Sequence, residues 1–198
     1  EDISFEYLKE IGVRTDLIHV TADLAFSLDP VSSDGAENIF LLEGIDYTKH
    51  PLIGVSLSRV ISRWAFPEVR DFQEKYDKYI SIMTAVIDYL IEEFSAEIIF
   101  MPQVIGPSPH SDGRNSADAI YAKSKNKSHI KLIKNEYTPE ELRALTGKFD
   151  FFLGARTHAI ISAALMNIPF IAIEYESNKT KGIIGRMMDC EEYVYDIK

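Results

Sequence analysis

The chain has 198 residues, about 1.3 times a typical domain of roughly 150 residues, which leaves room for one domain with an arm but hardly for two. Its 31 acidic residues outnumber the 21 lysines and arginines, and the resulting net charge of −10 argues against a nucleic-acid or anionic-membrane surface. An anionic substrate would therefore need a local cationic pocket. The lone cysteine, Cys190, excludes an internal disulfide and a multi-cysteine metal site, and it favours a reducing, cytoplasmic compartment.

The first fifty residues contain fewer regular patterns than the rest of the chain. A helix is predicted at residues 4–11, with Ser4 as its N-cap and Gly12 just after its end, followed by a short strand at residues 17–21. Residues 29–51 are rich in turn-forming dipeptides and are predicted to be an irregular linker. Because the chain begins with Glu1 rather than Met, we expect either a processed N-terminus or a piece of a longer protein.

From Leu52 onward, short β-branched runs alternate with helical patterns. Strands are predicted at residues 53–57, 97–101, 129–133, 149–153 and 170–174, with a closing one at 193–195. Helices are predicted at residues 68–94, 116–123, 138–146, 157–166 and 180–188. The long helix at 68–94 places Phe72 and other apolar residues on one face, and Thr138, Pro139 and Glu141 form a typical helix start. This order predicts an α/β fold with a doubly wound, mainly parallel, Rossmann-like sheet.

Ligands of such sheets lie beyond the carboxyl ends of the strands. The most informative loop there follows the predicted strand 149–153, where Gly154 is followed by Arg156, Thr157 and His158 before an apolar helix. The helix start offers free backbone N–H groups, Arg156 a planar fork for a carboxylate or phosphate, and His158 a proton-exchanging group. The residues alone equally allow Arg156 to pair with a nearby acid and His158 to pack on the sheet.

Three further loops at this edge carry polar residues. Arg59 and Arg63 follow the strand at 53–57, and we expect one of them to reach the cleft. Gln103, Gly106 and His110 lie in a Pro- and Gly-containing loop of a composition that suits binding, although His110 alone is a weak candidate for catalysis. A solvated turn and an anion site are equally compatible with the loop that holds Ser177, Asn178, Lys179 and Lys181.

Several common site motifs are absent from the sequence. It has no Gly-x-Gly-x-x-Gly, no Gly-Lys-Ser/Thr of a P-loop, no His-Glu-x-x-His and no Gly-x-Ser-x-Gly, and its five histidines lack metal-ligand spacing. These absences count against dinucleotide redox chemistry, nucleotide hydrolysis and zinc hydrolysis. We therefore expect no metal and no cofactor.

The polar turn belongs to a longer pattern. This pattern resembles the polysaccharide pyruvyl transferase family. It consists of Phe-Leu-Gly-Ala-Arg-Thr-His-Ala at 152–159, Ser162-Ala-Ala, the run from Pro169 to Ile173, and Tyr175 with Lys179. Upstream pieces agree in order and spacing: Asp-Leu-Ala-Phe-Ser-Leu at 23–28, Met-Pro-Gln at 101–103 with Gly106-Pro107 and Asp118, and Thr-Pro-Glu-Glu-Leu at 138–142. The opening residues 1–12 resemble the stretch where the second half of the family begins, so the resemblance covers nearly the whole chain.

This resemblance implies a two-domain glycosyltransferase-B-type (GT-B) protein, of which this chain is the C-terminal domain. Residues 1–50 would be a connecting helix, strand and linker from an N-terminal half that this chain lacks, and residues 51–198 the Rossmann-like donor-binding domain. An isolated half of this kind is expected to be inactive.

The implied reaction is transfer of a pyruvyl group from phosphoenolpyruvate to a sugar of a cell-surface polysaccharide or its lipid-linked precursor, forming a ketal and releasing phosphate. The implied location is the cytoplasm, with peripheral contact at the inner face of the cell membrane. By analogy Arg156 holds the donor and His158 serves as acid/base or phosphate partner, with Arg59 as second clamp and Lys179 as supporting cation. The remaining expected substrate-binding residues are Gln103, Gly154, Thr157, Tyr175 and Asn178.

The sequence departs from the family pattern at two places. Ser58 separates Arg59 from the preceding strand, so Arg63 remains an alternative to Arg59 as the cleft arginine. Lys179 lies four residues after Tyr175 rather than three, so Lys181 remains an alternative to Lys179 as the cleft lysine. Two other functions remain open. The chain could be the nucleotide-sugar-binding half of a glycosyltransferase or epimerase, although the usual ribose-binding acid and Gly-rich turn are not evident. It could also be a non-catalytic binding module of the same fold.

Overall fold

A computed structural model describes residues 1–108, 111–175 and 178–197. The strands are β1 (Leu52–Ser56), β2 (Glu97–Phe100), β3 (Ile130–Leu132), β4 (Phe151–Gly154), β5 (Phe170–Glu174) and β6 (Val194–Asp196). The α-helices are α1 (Asp2–Glu10), α2 (Ser33–Leu42), α3 (Ile61–Trp64), α4 (Phe72–Phe94), α5 (Gly113–Lys123), α6 (Pro139–Thr146) and α7 (Thr157–Leu165). The helix predicted at 180–188 is a π-helical segment, Lys181–Met187.

All six strands run parallel in the order β3-β2-β1-β4-β5-β6. This confirms a parallel, Rossmann-like sheet. The chain builds outward from β1 in one direction, then returns to β4 on the other side of β1 and builds outward again. The crevice between the ends of β1 and β4 is therefore the switch point at which such sheets bind ligands.

Helices cover both faces of the sheet, as a doubly wound fold requires. Side chains alternate between the faces: Ile53 and Val55 of β1 pack with α3, α4 and α5, whereas Leu52 packs with α2, α6, α7 and the π-helical segment. Both faces form apolar cores of buried residues. The core under α7 is the one that supports the site described below.

The long helix α4 begins later than predicted, at Phe72, where Asp71 is the N-cap and accepts a hydrogen bond from the Glu74 amide at 2.7 Å. The prediction that Phe72 belongs to the buried face is wrong, because it is 70% exposed and the two residues after it are exposed as well. No helix in the described ranges, α4 included, is long and apolar enough to cross a lipid bilayer.

Two predictions for the N-terminal region are wrong. Helix α1 is capped by Glu1 rather than by Ser4, because the Glu1 carboxylate accepts hydrogen bonds from the amides of Ile3 and Ser4 at 2.9 and 3.0 Å. No strand forms at residues 17–21, since this stretch pairs with no strand of the sheet and follows a short 3₁₀ turn. Gly12 does follow the helix end with a φ of +84°, the left-handed conformation that glycine adopts without strain.

The prediction that residues 29–51 are irregular is also wrong, because helix α2 occupies their centre. The serines that were interpreted as turn residues start this helix: the Ser32 hydroxyl accepts a hydrogen bond from the Gly35 amide at 3.4 Å. Ala36, Ile39 and Phe40 of α2 are buried in the core beside α6. The boundary between a connecting part and a domain at residue 50 stays a prediction.

Candidate functional site

A cleft of about 580 Å³ opens at the carboxyl ends of β4 and β5, on the face covered by α6 and α7. Six of the nine residues predicted from the sequence line it: Gln103, Arg156, Thr157, His158, Tyr175 and Lys179. They come from three separate loops, which meet because parallel strands end at the same edge of the sheet. The cleft therefore brings together the polar turn, the binding loop after β2 and the loop after β5.

Arg156 lies at the switch point, at the N-cap position of α7. The chain leading to it is fixed against β1 by a hydrogen bond from the Ala155 amide to the Ser56 carbonyl at 3.0 Å. The Nε of Arg156 is buried and has no hydrogen-bond partner among the described residues. A buried donor without an acceptor is costly, so this guanidinium is oriented for an acceptor that a ligand would bring. The N-terminus of α7 adds the partial positive charge of the helix dipole at the same place.

His158 and Lys179 meet at one carboxylate, that of Asp23. The Nε2 of His158 lies 3.7 Å and the Nζ of Lys179 3.6 Å from the Asp23 Oδ2. The hydrogen bond from the Ala25 amide lowers the pKa of Asp23, against the effect of partial burial and with help from the nearby His158 and Lys179. Asp23 is therefore an anion at neutral pH, and His158, whose side chain is 61% exposed, is open to a ligand.

A hydrogen bond joins the end of β1 to the end of β5 behind Arg156. The Ser58 hydroxyl donates to the Tyr175 hydroxyl at 3.1 Å. The nearby Tyr79 hydroxyl is buried without a hydrogen-bond partner in the described ranges, and burial raises the pKa of Tyr79 far above its ordinary value. Ser58, the residue that interrupts the family pattern, thus fixes the Tyr175 side chain at the wall of the cleft.

The loop after β5 is anchored by two short contacts. The Thr157 and Thr180 hydroxyls lie 2.8 Å apart, and the buried Glu174 carboxylate accepts a hydrogen bond from the Lys181 amide. The first contact attaches the loop to the start of α7, and the second attaches it to the end of β5. They keep Lys179 on the same side of the cleft as His158.

Three predicted residues lie outside the lining of this cleft. Arg59 stacks over the Tyr76 ring, with its guanidinium carbon 4.0 Å from the ring centre, and Gly154 lies beneath the cleft against Ile160. Asn178 lines a neighbouring groove beside α1. Their roles in binding stay predictions.

The rival residues are also outside the cleft. Arg63 is exposed, and Lys181 pairs with Glu191 at 3.2 Å. His110 and Ser177 lie outside the described residues.

The sequence analysis did not identify two charged residues of the site. Asp23 was noticed only as part of a family-like segment, and nothing local ties it to His158, 135 positions later in the chain. Arg143 lines the cleft although it is only 2% exposed, and its guanidinium donates to the carbonyls of Leu28 and Ala25, the latter at 2.7 Å. An arginine inside an ordinary amphipathic helix gives no indication in the sequence that it is buried and bound to the carbonyls of a distant turn.

A second cleft of about 430 Å³ lies at the ends of β1, β2 and β3, around the start of α5. Its arginine, Arg114, is already engaged: it pairs with Asp112 at 2.6 Å and donates to the Lys134 carbonyl at 2.9 Å. This cleft therefore differs from the first, where the Arg156 Nε has no acceptor within the described ranges. Within the described part of the chain, no cluster of three or more His, Cys, Asp or Glu residues could hold a metal ion.

A family model described as polysaccharide pyruvyl transferase matches residues 1–178. No curated protein and no solved structure matches the chain. The matched range contains the polar turn, Asp23 and the loop after β5 as far as Asn178.

Proposed function

The chain belongs to the polysaccharide pyruvyl transferase family, and from this premise we propose that its cleft binds phosphoenolpyruvate as the pyruvyl donor. The observation that carries the proposal is the buried Nε of Arg156 at the switch point, which has no hydrogen-bond partner among the described residues, beside the exposed imidazole of His158. Phosphoenolpyruvate has a carboxylate and a phosphate, and a protein with a net charge of −10 binds such a multiply charged anion only where its cations are concentrated.

The proposed reaction exchanges one C–O bond of the donor for two. A proton adds to the methylene carbon of phosphoenolpyruvate, so the double bond is lost and positive charge develops at C2. One sugar hydroxyl adds to C2, the bond from C2 to the phosphate oxygen breaks, and a second hydroxyl closes the ketal. The two hydroxyl protons balance the proton taken up by the methyl group and the one carried away by the phosphate.

The residues of the cleft have matching roles in this proposal. Arg156, with its fork geometry, holds the donor carboxylate or phosphate. His158 serves as the acid/base near the reacting carbon, because its side chain is exposed at the mouth of the cleft. Lys179 supports the negative charge that develops on the departing phosphate.

The proposal also covers the acceptor, the rest of the protein and the location in the cell. We propose that the acceptor is a saccharide or lipid-linked saccharide of a cell-surface polysaccharide, and that this chain is the donor-binding half of a GT-B fold whose other half binds the acceptor. The family supports a saccharide acceptor. A cytoplasmic location, peripheral at the inner face of the membrane, fits the lone cysteine and completes the proposal.

The donor proposal is tested with Arg156→Ala. We expect this substitution to weaken phosphoenolpyruvate binding about 10- to 100-fold, because it removes charge-assisted hydrogen bonds that water cannot replace in a buried position. The measurement is calorimetric titration of phosphoenolpyruvate into the purified chain.

The matched control is Arg63→Ala, which removes the same charge from an exposed position outside the cleft and should bind the donor like the unaltered chain. Equal affinity in the Arg156 variant would rule out a donor clamp at this residue. A parallel titration with nucleotide sugars tests the glycosyltransferase alternative, which predicts that those ligands bind more tightly than phosphoenolpyruvate.

A further inference from the structure

We propose that Asp23 is a positioning residue of the site: its carboxylate holds the imidazole of His158 and the ammonium of Lys179 in place and is the anion with which the donor competes. The inference rests on the proposed function for its ligand. It goes further by adding a residue from the N-terminal segment, far in the chain from the polar turn.

The geometry places one carboxylate oxygen between an imidazole and an ammonium group from different elements. Asp23 Oδ2 lies 3.7 Å from His158 Nε2 in the first turn of α7 and 3.6 Å from Lys179 Nζ in the loop after β5. The side chain of Asp23 is 21% exposed, against 61% for His158 and 45% for Lys179. The carboxylate is thus the most enclosed group of the three and the fixed point around which the imidazole and the ammonium are arranged.

Asp23 is itself held from two sides. It caps the 3₁₀ turn Leu24–Ser27, because its Oδ1 accepts a hydrogen bond from the Ala25 amide at 2.9 Å. The same turn is attached to α6, since the Arg143 guanidinium donates to the carbonyls of Ala25 and Leu28. Asp23 therefore has its place set by the backbone and by a buried arginine, not by the two side chains that it holds.

The arrangement has an electrostatic consequence for ligands. His158 and Lys179 are on the wall of the cleft that is proposed to take an anionic donor, and the Asp23 carboxylate offsets the positive charge of Lys179 there. A donor phosphate near these two groups is repelled by the Asp23 carboxylate. Removal of the Asp23 charge should therefore strengthen anion binding while it loosens the placement of His158.

The substitution Asp23→Asn separates this role from the capping role. Asparagine caps helical turns about as well as aspartate, so the 3₁₀ turn keeps its hydrogen bond while the charge is lost. Calorimetry with phosphoenolpyruvate and, separately, with inorganic phosphate should show binding about three- to ten-fold tighter than in the unaltered chain. Asp23→Glu, which restores the charge, should return the affinity toward the original value.

A second measurement needs no ligand. Long-range ¹H–¹⁵N spectra of the imidazoles should show the His158 resonances moved in Asp23→Asn and largely restored in Asp23→Glu. The resonances of His129 are the internal control, because its Nδ1 lies 3.0 Å from Glu97, an unrelated carboxylate.

Weaker or unchanged anion binding in a folded Asp23→Asn chain, or unmoved His158 resonances, would overturn the proposal. The donor assignment is tested separately from the role of Asp23. If the unaltered chain binds phosphate but not phosphoenolpyruvate, the proposed function fails. The comparison of phosphate binding between the unaltered chain and Asp23→Asn then still decides the role of Asp23. If neither ligand binds, the imidazole spectra decide it.

Discussion

Gly54, in the middle of β1, is a position where a single methyl group does not fit. A Cβ at this residue would lie 2.4 Å from the ring of Phe149 and 2.6 Å from that of Phe152. Both rings belong to the core that supports α7 and the cleft. The close approach of these rings to the strand therefore depends on the absence of a side chain at residue 54.

We expect Gly54→Ala to lower the free energy of unfolding by about 1–3 kcal/mol, because buried rings have to leave their rotamers to admit the methyl group. Urea unfolding followed by circular dichroism measures the loss. The matched control is Gly113→Ala, since a Cβ there meets nothing closer than 3.7 Å. Equal stabilities of the two variants would contradict the tight fit.

Single residues also mark the limit of what the sequence predicts about the site. Arg156 and His158 were identified because they interrupt an apolar pattern within a few positions, and the structure places both in the cleft. Asp23 and Ser58 gave no comparable signal, because each acts through a partner more than a hundred positions away: His158 for Asp23 and Tyr175 for Ser58. A local sequence pattern therefore identifies residues such as Arg156 and His158 at the wall of the cleft more readily than residues such as Asp23 and Ser58, which contact wall residues from distant parts of the chain.

Among the elements, α6 shows how a buried charge holds a turn. The Arg143 side chain is 2% exposed, and burial lowers the pKa of its guanidinium, with Asp29 and Glu140 acting in the opposite direction. Its donors satisfy the carbonyls of Ala25 and Leu28, in and just after the 3₁₀ turn Leu24–Ser27, which pairs with no strand of the sheet.

Arg143→Met keeps most of the side-chain volume and removes the donors. We expect it to lower stability by about 1–3 kcal/mol, the range for buried acceptors left without a hydrogen bond, and to speed amide exchange around the turn at 24–27. Hydrogen-exchange mass spectrometry resolves the effect by segment. Lys148→Met is the control, because Lys148 pairs with Glu37 of α2 at 2.6 Å and not with this turn; faster exchange of the turn in that variant as well would contradict the assignment to Arg143.

At the level of elements, prediction succeeded where the local signal was distinctive, and it failed where the local signal was ambiguous or where a distant strand decided the structure. The start of α6 was predicted from Thr138 and Glu141, whose reciprocal capping bonds measure 3.3 and 2.7 Å. Residues 29–51 were misinterpreted because a serine that caps a helix and a serine in a turn look alike in sequence. The strand predicted at 17–21 had a suitable composition, but a strand also needs a neighbour, which composition does not specify.

For the whole molecule, the alternation of strands and helices predicted a parallel sheet but not its strand order. The order β3-β2-β1-β4-β5-β6 places β4 beside β1, although the 94 residues 57–150 lie between the end of β1 at Ser56 and the start of β4 at Phe151. Only this placement makes Arg156 face the end of β1. The location of the cleft is thus a property of the topology, which no single loop encodes.

The acid stability of the whole molecule follows from carboxylates that join distant segments. Burial would raise the pKa of Glu43, but the amides of Asn135 and Lys134, at 3.0 and 3.2 Å, and the Tyr137 hydroxyl outweigh it, so that this pKa is lowered. The pKa of Asp150 is lowered too: its partial burial is outweighed by His50 and by the Leu52 amide. A carboxyl whose pKa is lower in the folded chain stabilises the fold above its ordinary pKa, and this contribution is lost as the pH falls through the folded value.

A second effect acts with the opposite sign in a different pH range. With a net charge of −10 at pH 7, the folded chain repels itself, and mild acidification relieves this repulsion before the hydrogen-bonded carboxylates take up protons. We therefore expect the free energy of unfolding to stay level or rise slightly from pH 7 to about 5 and to fall steeply below about pH 4, where ordinary carboxylates titrate. Urea unfolding at a series of pH values measures both limbs. Glu43→Gln, which lacks one of the linking carboxylates, should start less stable at pH 7 and lose less on acidification, and an acid loss as large as that of the unaltered chain would show that Glu43 does not contribute to this limb.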